Sequence, residues 1–161
     1  MKQRINALEK SAGALKAMYG LGGYLAKSTI ERPLQNLIFY RVSQINGCAY
    51  CLDMHSKDLL AEGENAQRLL VLDAWCETPF FSEREQAALA WAEAVTKLTN
   101  NDVSDEVYET ARQQFSEQEL IDLTMAVITI NCYNRINIAF RVQGGSYKVG
   151  QFTAEKLVNH N

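Results

Sequence analysis

The sequence predicts an all-α protein of about seven helices. Apolar residues recur along most of the chain at the spacing of an α-helix, and no two alternating segments flank a turn of the kind that indicates a β-hairpin. Only two prolines occur, Pro33 and Pro79, and both lie where a helical pattern is interrupted. A chain of 161 residues has an ordinary single-domain length, so we expect one domain over residues 1–161.

Three glycines interrupt the first helical pattern. That pattern is set by Ile5, Leu8, Ala12 and Leu15. Gly20, Gly22 and Gly23 then predict a break or turn, because glycine weakens a helix interior. Pro33 fits the first turn of the next helix, where a missing N–H leaves no bond unmade, and Asn46-Gly47 ends that helix.

Two more helices are predicted between residues 48 and 75. One begins at Cys48 and runs to about Glu62, with Gly63 as its C-terminal stop. A short helix over residues 66–75 follows.

Polar caps indicate where the last three helices begin. The predicted caps are Ser82 with Glu85, Ser104 or Asp105, and Ser116 with Glu119. The first of these helices runs to about Leu98, and the last is long and apolar. Residues 131–142 continue or restart that last helix, and Gly144-Gly145 ends the regular part of the chain.

Charge and composition exclude several classes of protein. The formal net charge is −3 and the pI is near 5.4, so no basic excess is present to neutralise nucleic-acid phosphates. Lys and Arg are scattered, and no apolar run approaches the roughly 20 residues of a membrane span, so no membrane partner is expected. The N-terminus lacks the apolar segment of a secretory signal, so we predict a cytoplasmic protein with reduced cysteines.

The stretch QINGCAYCLDMH, residues 44–55, groups three reactive side chains. On a helix that begins at Cys48, the side chains of Cys48, Cys51 and His55 share one face. The first turn of a helix presents unpaired N–H groups and the positive end of the helix dipole, which stabilise a thiolate. His55 can act toward Cys51 as a base or, when protonated, as the partner of its thiolate. A thiolate of lowered pKa beside a second cysteine is what peroxide reduction needs, because the first sulfur becomes a sulfenic acid and the second condenses with it to a disulfide.

Cys51 is the predicted nucleophile and Cys48 the resolving cysteine of this thiol pair. The reason is that His55 lies one helical turn after Cys51. The helix dipole alone would also allow the opposite order.

The residues alone leave other roles open for the thiol pair. With His55 it supplies three zinc ligands, and Cys76 or His160 is available as the fourth. A c-type haem needs a histidine directly after the second cysteine, where Leu52 stands. Plain packing cysteines are a third alternative. We predict neither a metal nor a cofactor.

Other polar and thiol side chains have simpler expected roles. Cys76 and Cys132 are predicted to be small core residues. Arg41, beside an apolar face, is expected either in a salt bridge or as a charge near the thiolate or a substrate carboxylate. The last helix carries a polar set, Asn131, Asn134, Arg135 and Asn137. Such groups need partners when buried, and we expect them at a subunit interface.

The motif NGCAYCLDMH resembles the core motif of the alkylhydroperoxidase D-like (AhpD-like) proteins of the carboxymuconolactone decarboxylase superfamily. It is preceded by RVSQI and followed by KDLLAEG, and the likeness continues through RLLVLDAW, PFFSEREQAALAWAEAVTKL and FSEQELIDLTMAVITINCYNRINI, over residues 34–138. The resemblance implies an all-helical fold, a trimer or hexamer, and thiol-dependent peroxidase activity. It also implies that Cys51 is the peroxidatic cysteine and that Cys48 resolves.

The resemblance is incomplete at the proton relay. The relay glutamate of the family falls at Asn36, which cannot carry a proton, and the residue that is histidine between the cysteines of some members is Tyr50. Asp58 is predicted as an acid that orients the imidazole one turn before it. Glu85 or Glu93 is an alternative if the fold brings either of them near.

The predicted function is therefore reduction of hydrogen peroxide or organic hydroperoxides through a Cys48–Cys51 disulfide, which an external dithiol then reduces. The expected partners are the hydroperoxide, the dithiol and further copies of the chain. One alternative is a redox-sensing or zinc-holding oligomer of the same fold. Asn36 favours it, because the relay is then incomplete. The other is lactone-acid decarboxylation, although the decarboxylases of the superfamily typically lack the thiol pair.

Overall fold

In the computed structural model, which describes residues 2–151, eight α-helices and two short 3₁₀ segments form, and this range contains no strand. The α-helices are α1 (Ala7–Lys10), α2 (Ala12–Leu25), α3 (Arg32–Asn46), α4 (Ala49–Ala61), α5 (Ala66–Leu70), α6 (Glu83–Lys97), α7 (Asp105–Gln114) and α8 (Glu117–Phe140). The 3₁₀ segments are Leu72–Glu77 and Thr99–Asn101. The all-α prediction is confirmed, with one helix more than the seven expected. Over the same range, no helix has both the length and the hydropathy to cross a membrane.

Helix α3 lies at the centre of the packing, against α4, α6 and α8. Its side chains Leu37, Ile38 and Val42 are at most 1% exposed, and they share one hydrophobic core with Leu89 of α6 and Leu123 of α8. Burying an aliphatic side chain completely contributes about 1.5–3 kcal/mol. The burial of α3 therefore fixes the position of the helix that precedes the thiol pair.

The junction between α3 and α4 consists of only Gly47 and Cys48. Gly47 has φ +69°, in the left-handed region that glycine adopts without strain. Its N–H donates to the carbonyl of Gln44 at 3.1 Å, and the N–H of Cys48 donates to the carbonyl of Ser43 at 3.1 Å. The predicted stop at Gly47 is confirmed, and α4 starts immediately after it.

Helix α2 is continuous through its glycines, so the break predicted there is wrong. No glycine of residues 20–23 has a positive φ, and the helix runs through all of them. Glycine in a helix interior costs only about 1 kcal/mol relative to alanine. Tertiary contacts offset this cost, because Leu25 is 2% exposed and the hydroxyl of Tyr24 donates to Asp122 Oδ1 of α8 at 2.5 Å.

The single short helix predicted over residues 66–75 is divided in the structure. Helix α5 ends at Leu70, and Val71 has the non-helical angles φ −106° and ψ 9° before the 3₁₀ segment begins. Leu69 and Leu72 are 5% and 0% exposed, and they are three residues apart. Leu69 belongs to α5 and Leu72 begins the 3₁₀ segment, so both parts of the divided stretch contribute a leucine to the core.

The predicted caps are confirmed, and α8 is longer than any other helix of residues 2–151. The complete capping boxes are Ser82 with Glu85 and Ser116 with Glu119. Ser104, and not Asp105, caps α7. Helix α8 continues without a break through residue 131 and ends at Phe140, so the pattern of residues 131–142 continues the helix rather than restarting one.

Residues 142–151, called here the C-terminal segment, lie along α4. The N–H of Gly145 donates to Asp53 Oδ2 at 2.8 Å, and Tyr147 is 5% exposed. A Cβ atom on Gly144 would lie 2.9 Å from the carbonyl oxygen of Ala49, so the backbones of the segment and of α4 approach closely. The segment therefore packs against the first turns of the helix that carries the thiol pair.

Candidate active site

The structure brings the two predicted cysteines together at the N-terminal end of α4 and joins them in a disulfide. Cys48 occupies the N-cap position, Cys51 lies in the first turn, and their Cα atoms are 5.4 Å apart. The backbone N–H of Cys51 donates to Cys48 Sγ at 3.4 Å. Each cysteine is only 1% exposed. The pair is thus buried, at the end of the helix where the dipole is positive.

A side chain from α8 contacts Cys51. The amide Nδ2 of Asn137 donates to Cys51 Sγ at 3.3 Å, across 86 positions of sequence. Sequence reasoning singled out Asn137 only as a member of the polar set expected at a subunit interface. The signal that was available is the three-residue spacing of Asn131, Asn134 and Asn137, which places amides along one side of a helix.

The rest of that polar set also finds partners within the chain, so these groups do not need a subunit interface to satisfy their hydrogen bonds. Asn134 is fully buried and donates to Ser43 Oγ at 3.0 Å. Asn46 donates to Asn131 Oδ1 at 2.9 Å and to Asn134 Oδ1 at 2.8 Å, and Arg135 donates to Asn131 Oδ1 at 2.6 Å. These bonds, called here the amide cluster, fasten α8 to the C-terminal end of α3.

His55 lies one turn after Cys51 and is buried, with 8% exposure. Its Nε2 has no hydrogen-bond partner among the described residues, and its ring packs against Phe39 with the centroids 5.4 Å apart. Burial lowers the pKa of His55 to about 4, because an apolar environment disfavours the charged ring. At neutral pH the imidazole beside the disulfide is therefore uncharged. Of the two roles predicted for it, this state fits the base and not the imidazolium partner.

Asp58 does not orient His55, contrary to the prediction. The hydroxyl of Tyr147 donates to both carboxylate oxygens of Asp58, at 2.8 and 2.9 Å, and no hydrogen bond joins Asp58 to His55. Burial raises the pKa of Asp58 above its ordinary value. Asp58, which was predicted to serve the relay, therefore binds Tyr147 of the C-terminal segment instead.

Asn36, which stands at the position of the family's relay glutamate, is bonded to another carboxylate. Its Nδ2 donates to Glu62 Oε2 at 2.7 Å, and Glu62 Oε1 also accepts from Arg32 at 2.7 Å. The three side chains therefore form a polar group at the C-terminal end of α4, at the opposite end of the helix from the thiol pair.

Arg41 is in a salt bridge, which is one of its two predicted roles. Its Nη2 lies 2.8 Å from Glu93 Oε1, and the same oxygen accepts from Trp75 Nε1 at 2.9 Å. Burial acts to raise the pKa of Glu93, but the donors Trp75, Lys97 and Arg41 bring it below its ordinary value. This carboxylate is bound to those donors, so it does not serve His55.

The other predicted relay candidate is bound as well. Glu85 lies 2.5 Å from Arg68 and accepts from the backbone of Ser82 in the capping box of α6. Neither Glu85 nor Glu93 therefore takes the place of the family's relay glutamate.

A surface recess of about 490 Å³ opens beside the Arg41–Glu93 pair. Its lining residues are Arg41, Gln44, Ile45, Leu52, Asp73 and Lys97. Leu52 directly follows Cys51 in the chain. A molecule in this recess would lie against the helix that carries the thiol pair.

The two remaining cysteines are exposed, so the prediction that they are core residues is wrong. Cys76 lies in a 3₁₀ segment and Cys132 on the outer face of α8. Leu72 and Ile130 of the same two elements face the core, so the sides that carry Cys76 and Cys132 face outward. Within residues 2–151, no three His, Cys, Asp or Glu side chains are grouped so as to hold a metal ion. His160, considered as a zinc ligand, lies outside the described residues.

The family model for the carboxymuconolactone decarboxylase family matches residues 12–94. The uncharacterized protein YdfG of Bacillus subtilis is 40% identical over 139 residues, which cover 86% of this chain and 95% of the relative. A solved structure from Agrobacterium tumefaciens, of a protein of unknown function named as a candidate antioxidant defence protein AhpD, superposes with a TM-score of 0.86 at 39% identity. It covers 91% of this chain and 100% of that one.

The helical fold of this chain matches that of an AhpD-named protein over nearly its whole length. The chain belongs to the carboxymuconolactone decarboxylase family and is an AhpD-like member of it. The debrominase Bmp8, solved with 2,3,4-tribromopyrrole, has the same fold at 23% identity and a TM-score of 0.76, over 86% of this chain and 74% of that one. That likeness concerns the fold alone.

Proposed function

We propose that this protein is a thiol-dependent peroxidase that reduces hydrogen peroxide or organic hydroperoxides. The observation that supports the proposal most directly is the Cys48–Cys51 disulfide at the start of α4, with His55 one turn further along. Two cysteines three residues apart at a helix start can pass between dithiol and disulfide forms in each cycle. The AhpD-like fold agrees with this reading.

The proposed reaction has three balanced steps. The Cys51 thiolate attacks the terminal peroxide oxygen, the O–O bond breaks, and the leaving alkoxide takes a proton to become an alcohol, or water when the substrate is hydrogen peroxide. The Cys48 thiol then displaces hydroxide from the Cys51 sulfenic acid, which gives the disulfide and water. An external dithiol finally reduces the disulfide and is itself oxidised to a disulfide.

His55 acts in this scheme as the proton acceptor for Cys51. Its uncharged state beside the disulfide leaves a ring nitrogen free to take the thiol proton when the pair is reduced. The resulting ion pair would raise the pKa of the imidazole, because an adjacent thiolate favours the charged ring.

Burial of the two sulfurs limits the size of hydroperoxide that can reach them. Each cysteine is 1% exposed, so the approach to Cys51 is narrow in the described conformation. We expect hydrogen peroxide and small hydroperoxides to react faster than bulky ones. The dithiol reductant, the assembly as a trimer or hexamer and the cytoplasmic location are further parts of the proposal, and the assembly rests on the sequence resemblance.

The test is peroxide consumption by the purified protein with a dithiol reductant. Cys51→Ser should abolish turnover, and Cys48→Ser should stop after one equivalent and leave a sulfenic acid that dimedone labels. Cys132→Ser is the matched control and should retain activity, because this thiol is exposed and separate from the pair. Full turnover by Cys51→Ser would reject the proposal, and lactone-acid decarboxylation that survives loss of both cysteines would support a decarboxylase.

A redox sensor without turnover is the second candidate. The observations that favour it are the burial of both sulfurs and the absence of an acid at position 36. A sensor predicts that peroxide oxidises two thiols per chain once, with no sustained consumption when the dithiol is supplied.

A further inference from the structure

The side chain of Asn137 makes direct contact with a sulfur of the proposed reaction. Its Nδ2 lies 3.3 Å from Cys51 Sγ, whereas Cys48 Sγ accepts from the backbone N–H of Cys51. The two sulfurs therefore have different donors. Cys48 uses a backbone group at the helix start, and Cys51 uses a side chain from α8.

The amide cluster holds α8 in place at this contact. Asn134, one turn before Asn137, is fully buried and donates to Ser43, whose carbonyl oxygen accepts from the N–H of Cys48. The junction that carries the thiol pair is thus fastened to the same stretch of α8 from which Asn137 projects. The distance from the amide to Cys51 is fixed by packing on both sides.

In the disulfide form, no charged side chain of the described residues is hydrogen-bonded to the sulfur of Cys51. The guanidinium of Arg41 is paired with Glu93 at 2.8 Å, and burial holds His55 uncharged until it takes the thiol proton of the reduced pair. The neutral amide of Asn137 is then the side-chain group that donates a hydrogen bond to this sulfur among residues 2–151. A hydrogen bond to an anion is about twice as strong as one to a neutral acceptor, so the amide favours the thiolate over the thiol.

We propose that Asn137 is a catalytic residue that stabilises the Cys51 thiolate through its amide N–H group. The inference rests on the proposed function, because that thiolate is the species that attacks peroxide. It also gives a chemical reason for the difference between the two cysteines. Loss of the amide removes a charge-assisted bond from Cys51 and leaves the backbone donor of Cys48 in place.

The test measures the thiol of Cys51 without any peroxide. In the reduced Cys48→Ser protein, the rate of alkylation by iodoacetamide is followed against pH at the peptide that contains Cys51, by mass spectrometry. Asn137→Ala should raise the pKa of this thiol by about one unit and slow alkylation near neutral pH about tenfold. Asn137→Asp keeps the shape of the side chain but adds a negative charge, so it should raise the pKa further than Asn137→Ala does.

Gln118→Ala is the matched control. It removes an amide from the other end of the same helix, where the side chain donates to Tyr24 and Asp122 and takes no part in the amide cluster. It should leave the pKa of Cys51 unchanged. Equal pKa values in the Cys48→Ser protein and in its Asn137→Ala and Asn137→Asp derivatives would overturn the inference. A shifted pKa in a protein without peroxide turnover would reject the proposed function and leave the role of Asn137 intact.

Discussion

The imidazole of His55 packs at 45° to the ring of Phe39, with the centroids 5.4 Å apart, and Nε2 is buried without a partner among the described residues. This contact has a consequence for stability. Burial lowers the pKa of His55 from its ordinary value of 6.5 to about 4, so the unfolded chain binds more protons between those two pH values. Above pH 6.5 the residue is neutral in both states and has no effect. As the pH falls toward 4, the folded state loses stability, by about 3 kcal/mol when the change is complete.

His55→Leu should remove this pH dependence. We expect the free energy of unfolding of the wild-type disulfide form to fall between pH 7 and pH 4.5 by about 2.5 kcal/mol more than that of the variant. Urea unfolding at both pH values measures it, and titration of Asp58 is common to both proteins and cancels. Parallel pH profiles for the two proteins would show that the ring is not held neutral.

Glu93→Gln should destabilise the protein strongly, because it leaves the guanidinium of Arg41 without its counter-charge. The side chains of the pair are only 10% and 20% exposed, and breaking a buried pair by removing one partner costs about 3 kcal/mol or more. The matched control is Glu62→Gln, whose partner Arg32 is 80% exposed. That change should cost less than about 1 kcal/mol. Equal losses in urea unfolding of the two variants would contradict the prediction.

Two glycine-to-alanine substitutions should have opposite effects. Gly47→Ala forces alanine to φ +69° and should lower stability by about 1–2 kcal/mol. Gly20→Ala, inside α2, should raise it by about 0.5–1 kcal/mol, because alanine favours a helix interior. An added Cβ meets nothing within 4 Å at either site, so backbone conformation alone sets the sign. Thermal unfolding measures both, and a shift of the same sign in both variants would refute the argument.

Tyr147→Phe should release the C-terminal segment from α4. The change removes both bonds from the phenol to Asp58, at 2.8 and 2.9 Å, and a bond to a charged group contributes about 1.5–3 kcal/mol. Amide hydrogen exchange should become faster in residues 142–151 and stay unchanged in α3. Tyr108→Phe, at a phenol that is 41% exposed, is the control and should alter neither region. Unchanged exchange in the segment would mean that other contacts hold it.

Helix starts and stops were predictable because their signals are local. The serine caps before α6, α7 and α8 bond to backbone groups within three residues, and Gly47 ends α3 through its own φ. Adjacency of Cys48 and Cys51 followed for the same reason, since three-residue spacing at a helix start brings two side chains together wherever that helix lies.

Predictions failed where the outcome depended on distant partners. The glycines of α2 did not break the helix, because Tyr24 and Leu25 bind it to the rest of the fold. Asp58 was assigned to the wrong partner, because Tyr147 lies 89 positions later. Cys76 and Cys132 were assigned to the core because cysteine is usually buried. Their exposure depends instead on which side of each helix faces the core.

The sequence by itself determined the all-α class, the helix that begins at the thiol pair and the placement of His55 one turn beyond Cys51, because helical periodicity and caps act over a few residues. Only the tertiary structure decided that His55 is uncharged, that Arg41 is paired with Glu93 and that Asn137 contacts Cys51. The protonation state depends on burial, and the two contacts depend on which helices pack together. Neither property is encoded in the spacing of residues along one helix.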